Sequence, residues 1–385
     1  MAICKKLLSV LLIMAVLFSL SPMSMTEAAT NMVTTSLPAF PDMPNDWSTE
    51  ALQNAVDNGL LTGSNGRLLP KSYLTRAQMA AIVTRAFGAT VEGDLSGFSD
   101  VKASDWFSDE MAKAYQMGVI KGSNGKMNPN SSITRQEVFV ILARALKLEP
   151  ADKINLTFTD TNQIADWAKG EIYAVVNSGY LKGSNGRLNP RGLITRAEFA
   201  QFMYNILKSY ISEPGEYTQD TRGNVMVNKP GVTLKNMTII GDLIIGDGVG
   251  DGEVVLDGVV VTGRTVIRGG GENSIRVVGN SELQNIIIAR VDGVVRVLAE
   301  DGTVLGEVTV DGSDDVIIEG YFGNITVVSP GITIRANNAS IDSATIQGEN
   351  SIVEVGEGSS IEEVTVNGAG SSISGAGSVG SVAAN

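Results

Sequence analysis

The chain has 385 residues, 43% hydrophobic and 18% charged, with a formal net charge of -13 at neutral pH. It contains no histidine and a single cysteine, Cys4, which removes Ser-His-Asp, Cys-His and His-zinc chemistry, disulfides and Cys-ligated metals. The length calls for two or more domains, and the acidic balance argues against nucleic acid, whose phosphates need a basic face.

Residues 1–29 read as a secretory signal peptide. Lys5 and Lys6 precede an apolar run from Leu7 to Leu20, and the small-residue stretch Thr26-Glu27-Ala28-Ala29 follows. A membrane anchor is the competing reading, but these 14 residues fall short of the roughly 20 that span a bilayer. Export is therefore expected, with no membrane partner after cleavage, and Cys4 leaves with the peptide.

A long-period repeat occupies residues 40–210. Asp46-Trp47 recurs as Asp105-Trp106 and Asp166-Trp167, at spacings of 59 and 61. Gly63-Ser64-Asn65-Gly66 recurs from Gly122 and from Gly183 at the same spacings. Three units result, at about 40–90, 98–148 and 158–210. Each reads as helix, turn, helix. Leu52, Ala55 and Val56 share one helical face, Asn65-Gly66 signals a turn, and Met79, Ile82, Val83 and Ala86 stripe the second helix. That helix opens on Thr75-Arg76-Ala77-Gln78, Thr134-Arg135-Gln136-Glu137 or Thr195-Arg196-Ala197-Glu198, each of which fits a capping box. The cap does not explain the arginine, because a cation at the first helical position opposes the helix dipole. Three such arginines suggest a site for a carboxylate or phosphate. The tryptophans offer either a face for a sugar ring or plain core packing.

These units resemble S-layer homology repeats, opening on Phe40-Pro41-Asp42, Phe98-Ser99-Asp100 and Phe158-Thr159-Asp160 and closing on the Thr-Arg motif. The resemblance implies an α-rich, pseudo-threefold bundle. Its inter-repeat grooves would bind a pyruvylated secondary cell-wall polysaccharide, anchoring the chain non-covalently at the bacterial cell wall or S-layer. It further implies that Arg76, Arg135 and Arg196 meet the acidic ketal. Trp47, Trp106 and Trp167, Asp46, Asp105 and Asp166, and Gly63, Gly122 and Gly183 would complete the grooves. Gln78 stands where the pattern has Glu, which points to a weaker first groove, and Gln136 stands where it has Ala.

Residues 211–224, beginning near Glu213-Pro214-Gly215-Glu216, read as a linker, and 225–385 as a right-handed parallel β-helix. A hexad, apolar-x-x-apolar-x-apolar, recurs from Leu234, Leu256, Leu283, Leu305, Phe322, Ile341 and Ile361. Short Val- and Ile-rich strands punctuated by Gly and Asn at this period fit stacked coils better than the hairpins of a β-sandwich. Ile288, Val310, Val327 and Ile346 are expected in one interior column. Residues 211–385 carry 24 acidic and 9 basic side chains, a net of -15. Asp247, Asp251 and Glu253, among glycines, are the calcium candidates, although their spacing matches no calcium loop. Asp311, Asp314 and Asp315 form a second acidic turn. No cofactor is implied. A structural, S-layer or adhesive role is expected for this domain. The alternative is a polysaccharide lyase or glycosidase, which would need a cleft gathering Arg268, near Arg264 and Arg276, with two or more Asp.

Overall fold

The computed structural model describes residues 40–300 and 302–384, and the expected signal segment lies outside them. Six α-helices come first: α1 (Thr49–Asp57), α2 (Arg76–Phe87), α3 (Ser108–Gln116), α4 (Arg135–Ala145), α5 (Lys169–Asn177) and α6 (Arg196–Ile206). Helices of nine to twelve residues are marginal alone and depend on tertiary packing. That packing crosses between repeats, with α2 against α3, α4 against α5 and α6 against α1. Leu52, Met111 and Ile172, one from each first helix, are fully enclosed.

The repeats also meet through backbone. Leu74 N–H donates to Ile194 O (3.1 Å), Ile194 N–H to Ile133 O (3.3 Å), and Ile133 N–H to Leu74 O (2.9 Å), closing a cycle. Bridges between Tyr73 and Thr195, Thr75 and Ser132, and Thr134 and Leu193 flank it, so this region is not held by helix packing alone. The opening motif has a local cause too. Asp42 accepts the Leu68 and Leu69 amides, Asp100 those of Met127 and Asn128, and Asp160 those of Leu188 and Asn189, at 2.8–2.9 Å. Burial raises the Asp160 carboxyl, but these two amides and Arg187 outweigh it and hold its pKa below the ordinary 3.8.

The rest of the chain is a parallel β-solenoid of about nine turns. Its strands pair in register with those of neighbouring coils, each residue over its equivalent. Ile288, Val310, Val327 and Ile346 are successive partners in one column, each at most 1% exposed. The hexads from Leu283 onward run along straight strands. The first two do not: Leu234 pairs with Leu256 on another face, and Ile239 and Val261 stack under Leu283. Asn236 at φ 47° and Gly258 at φ 66° turn the chain inside those hexads, so one apolar spacing serves both a corner and a strand. Gly320, at φ 99°, turns a later corner where a Cβ would lie 1.9 Å from Ala299 O.

The stretch expected as a linker is instead the first coil. Strand Leu207–Ile211 follows α6 without a break and pairs in parallel with Asn224–Val227, while Gly215–Tyr217 and Thr221–Arg222 pair with the coil above. Helical repeats and solenoid form one compact unit. An outward column explains how they join. Tyr210, Met226, Ile244, Val266 and Ile287 lie in register and pack into the helical core, after which the same column continues as Thr309, Thr326, Thr345 and Thr365. The column is apolar where the helices cover it and hydroxylated where they do not. Polar contacts rim the junction: Lys147 with Asp311 (2.8 Å), Arg264 N–H to Lys147 O (2.6 Å) and Tyr180 OH to Asp242 (2.7 Å). Gly88 ends α2 at φ 68°, and a Cβ there would lie 2.5 Å from Gly248 Cα of the solenoid.

Candidate functional site

Three cavities on the helical region each draw on all three repeats among the described residues. The largest, about 620 Å3, combines Arg76 of the first repeat, Gly122 and Ser123 of the second and Trp167 of the third. A second, about 350 Å3, combines Arg135, Gly183 and Ser184, and Trp47. The third, about 290 Å3, combines Arg196, Gly63 and Ser64, and Trp106. The indoles are 62%, 65% and 54% exposed at Trp47, Trp106 and Trp167, so they are groove surface rather than core.

The arginines have a structural task that the capping argument missed. Arg76 donates from Nε to Met127 O (2.9 Å), from one terminal nitrogen to Lys121 O (3.2 Å) and from the other to Glu137 (2.9 Å). Arg135 repeats this with Leu188 O (3.0 Å) and Glu198 (3.3 Å), and Arg196 with Leu68 O and Thr62 O, both at 2.7 Å. Each arginine thus straps its helix to the loop of the next repeat, which accounts for a cation at a position the dipole disfavours. The capping glutamates are shared: Glu137 Oε2 accepts the Thr134 amide while Oε1 holds Arg76, and Glu198 does the same for Thr195 and Arg135. Gln78 completes its own cap but belongs to the Arg196 cavity, so the departure expected to weaken the first groove acts on that one. Burial lowers the Arg135 guanidinium, offset by Glu198 and Asp160.

The glycines line the cavities for a packing reason. A Cβ on Gly63 or Gly122 would fall 2.1 Å from the ring of Phe40 or Phe98, and on Gly183 2.7 Å from Phe158. Gly122→Ala is therefore expected to lower stability by about 1–3 kcal/mol, as a small-to-large change in a filled site does. Thermal unfolding measures it, and an unchanged midpoint would remove this explanation of the Gly-Ser loop. The aspartates sit elsewhere. Asp46 accepts the Ser48 amide (2.9 Å), Asp105 that of Lys102 (2.8 Å), and Asp166 pairs with Lys169 (2.6 Å), so they shape the turn before the first helix and line none of the three cavities.

The calcium candidates are not brought together. Asp247 pairs with Arg268 (2.7 Å), Asp251 with Arg290 (2.5 Å) and Glu253 with Arg276 (3.5 Å), each on an arginine of a higher coil. The second acidic turn is divided likewise: Asp311 holds Lys147, Asp314 accepts the Gly293 amide and Asp315 pairs with Arg335. No group of three or more candidate ligands gathers among the described residues. Nor does Arg268 line a cleft with two Asp. Its side chain is 0% exposed, paired with Asp247 and stacked 5.6 Å over Phe87 of α2. Arg268 fastens the junction. Arg85, Arg144, Lys121 and Lys182 also line the grooves and belong to no sequence motif. Arg85 and Arg144 fall nine residues after Arg76 and Arg135, too far along the helix for the motif to mark them.

Comparison with known proteins bears on the repeats. The family profile described as "S-layer homology domain" matches residues 39–80, 97–139 and 157–200. The chain carries three S-layer homology repeats. Over 174 residues, 44% of this chain and 15% of the relative, it is 35% identical to the surface-layer 125 kDa protein of Lysinibacillus sphaericus. It is 29% identical over 181 residues, 45% of this chain, to S-layer protein sap of Bacillus anthracis, covering 22% of that protein. It is 31% identical over 175 residues, 44% of this chain, to exoglucanase XynX of Acetivibrio thermocellus, covering 16% of it. The chain therefore spans less than a quarter of the length of these curated relatives. The S-layer homology repeats and the surface-layer relatives support anchoring at the cell surface, in an S-layer or cell-wall location. Among the described residues no helix is long and apolar enough to cross a membrane.

Proposed function

We propose that the three S-layer homology repeats form a pseudo-threefold ring whose grooves bind an acidic, pyruvylated secondary cell-wall polysaccharide, and that the solenoid is displayed from this anchor in a structural, S-layer or adhesive role. The observation that carries the reading is the composition of each cavity: a motif arginine, a Gly-Ser loop and an exposed tryptophan, each from a different repeat. An indole gives a sugar ring an apolar face, and a guanidinium suits a carboxylate. The cyclic hydrogen bonds through Leu74, Ile133 and Ile194 support the ring.

In this reading the sugar stacks on the tryptophan while its ketal carboxylate takes up donors at the motif arginine and the Gly-Ser backbone. The lyase or glycosidase alternative draws no support from Arg268, which is enclosed at the junction. Purified wall polysaccharide, intact or stripped of its ketals by mild acid, tests the proposal against the full chain. Binding should be lost on stripping; equal binding to both polymers would overturn the acidic-ligand reading.

A further inference from the structure

The cavity holding Arg196 differs from its two counterparts. Where they have Glu137 and Glu198, it has Gln78, whose Oε1 is taken by the Thr75 amide and whose remaining group is a donor that cannot accept from a guanidinium. Arg196 keeps its bonds to Leu68 O and Thr62 O, but its other terminal nitrogen has no partner among the described residues, although the residue is only 8% exposed. Arg85 lines the same cavity, holding Ala81 O and the Thr62 hydroxyl, and it too has no carboxylate in ion-pair contact among the described residues. Burial lowers the Arg196 guanidinium, and the like charge of Arg85 adds to that, with Asp42 opposing. Asp42 acts on Arg196 and Glu110 on Arg85 without an ion-pair contact, which leaves two neighbouring cations able to take up an anion.

Arg85 is also the wall of a second cavity, about 490 Å3, where the repeats meet the solenoid. Glu110, Lys113, Tyr210, Asn228 and Lys229 line it with Arg85, giving three cations and one acid. Lys113 is shared with Glu110 at 3.7 Å, while Lys229 is exposed on the solenoid side. Arg85 thus lines both cavities, with its guanidinium held by Ala81 O and the Thr62 hydroxyl and its carbonyl accepting from Tyr210 and Asn228 of the junction cavity. We propose that an acidic glycan strand seated at Arg196 runs past Arg85 into this junction cavity, where Lys113 and Lys229 receive its next anionic group. The proposal rests on the reading of the grooves as polysaccharide sites. It makes the solenoid part of the anchor, contributing Lys229, and gives this groove a longer footprint than the other two.

The test uses the full chain carrying Trp47→Ala and Trp167→Ala, which silences the other two grooves. The probes are acidic wall polysaccharide cut to a single repeating unit and to long fragments. Adding Lys113→Ala and Lys229→Ala should weaken long fragments about tenfold, the equivalent of one charge-assisted contact, and leave the single unit unchanged. Lys235→Ala, a half-buried solenoid lysine outside this cavity's lining, should change neither. Unaltered binding of long fragments by the Lys113 and Lys229 variant, or an equal loss from Lys235→Ala, would overturn the proposal. Trp106→Ala in the same background should abolish both lengths; if it abolishes neither, the groove reading itself fails, a result distinct from failure of the junction subsite.

Discussion

Val327→Asp should unfold the coils around it, at a cost of about 4 kcal/mol or more. Val327 is 1% exposed in the column between Val310 and Ile346, and a carboxylate there has neither water nor a partner. A solenoid coil rests on its neighbours, so the loss spreads along the stack. Thr326, next along the strand, lies in the outward threonine column, and Thr326→Ser should move the unfolding midpoint little. Denaturant unfolding of the two variants separates them. Similar, mild effects would mean that the interior register is wrong.

The second large effect is expected at the junction. Arg268→Ala should destabilise the protein by about 3–5 kcal/mol, because it leaves Asp247 enclosed without its cation and removes the stack on Phe87. One Arg268 nitrogen is already without a hydrogen-bond partner, so the pair is poorly compensated as it stands. Replacing both residues, Arg268→Met with Asp247→Leu, should recover much of the loss, as apolar substitution of a buried pair often does. Thermal unfolding of the two variants measures this. If Arg268→Ala costs nothing, the solenoid is not fastened to α2 in the way described.

The repeats were legible in the sequence because their motifs recur three times in order, and the solenoid because Leu305 to Val310 and its successors repeat one strand pattern. The first two hexads misled, since Leu234 to Ile239 turns a corner at Asn236 while keeping the same apolar spacing. The arginines stand out in the sequence as surplus to the cap, yet their partners are the carbonyls of Met127, Leu188 and Leu68 in other repeats. No local pattern shows such partners. The same holds for the change from Ile287 to Thr309 in the outward column: both residues are plain in the sequence, but only the register shows that one lies under the helices and the other beyond them. The segment after Glu213 reads as a linker from its Pro and Gly, which here lead into the strand Gly215–Tyr217 of a coil.

Wall binding is placed in the grooves, and their tryptophans give the cleanest access to them. Trp47, Trp106 and Trp167 are more than half exposed, so replacing all three with Ala should change stability little, unlike replacing the strapping arginines. The measurement is co-sedimentation of the full-length triple variant with purified cell-wall sacculi, alongside its melting curve. A normal melt with loss of co-sedimentation is expected; a normal melt with wild-type binding would contradict binding at the grooves.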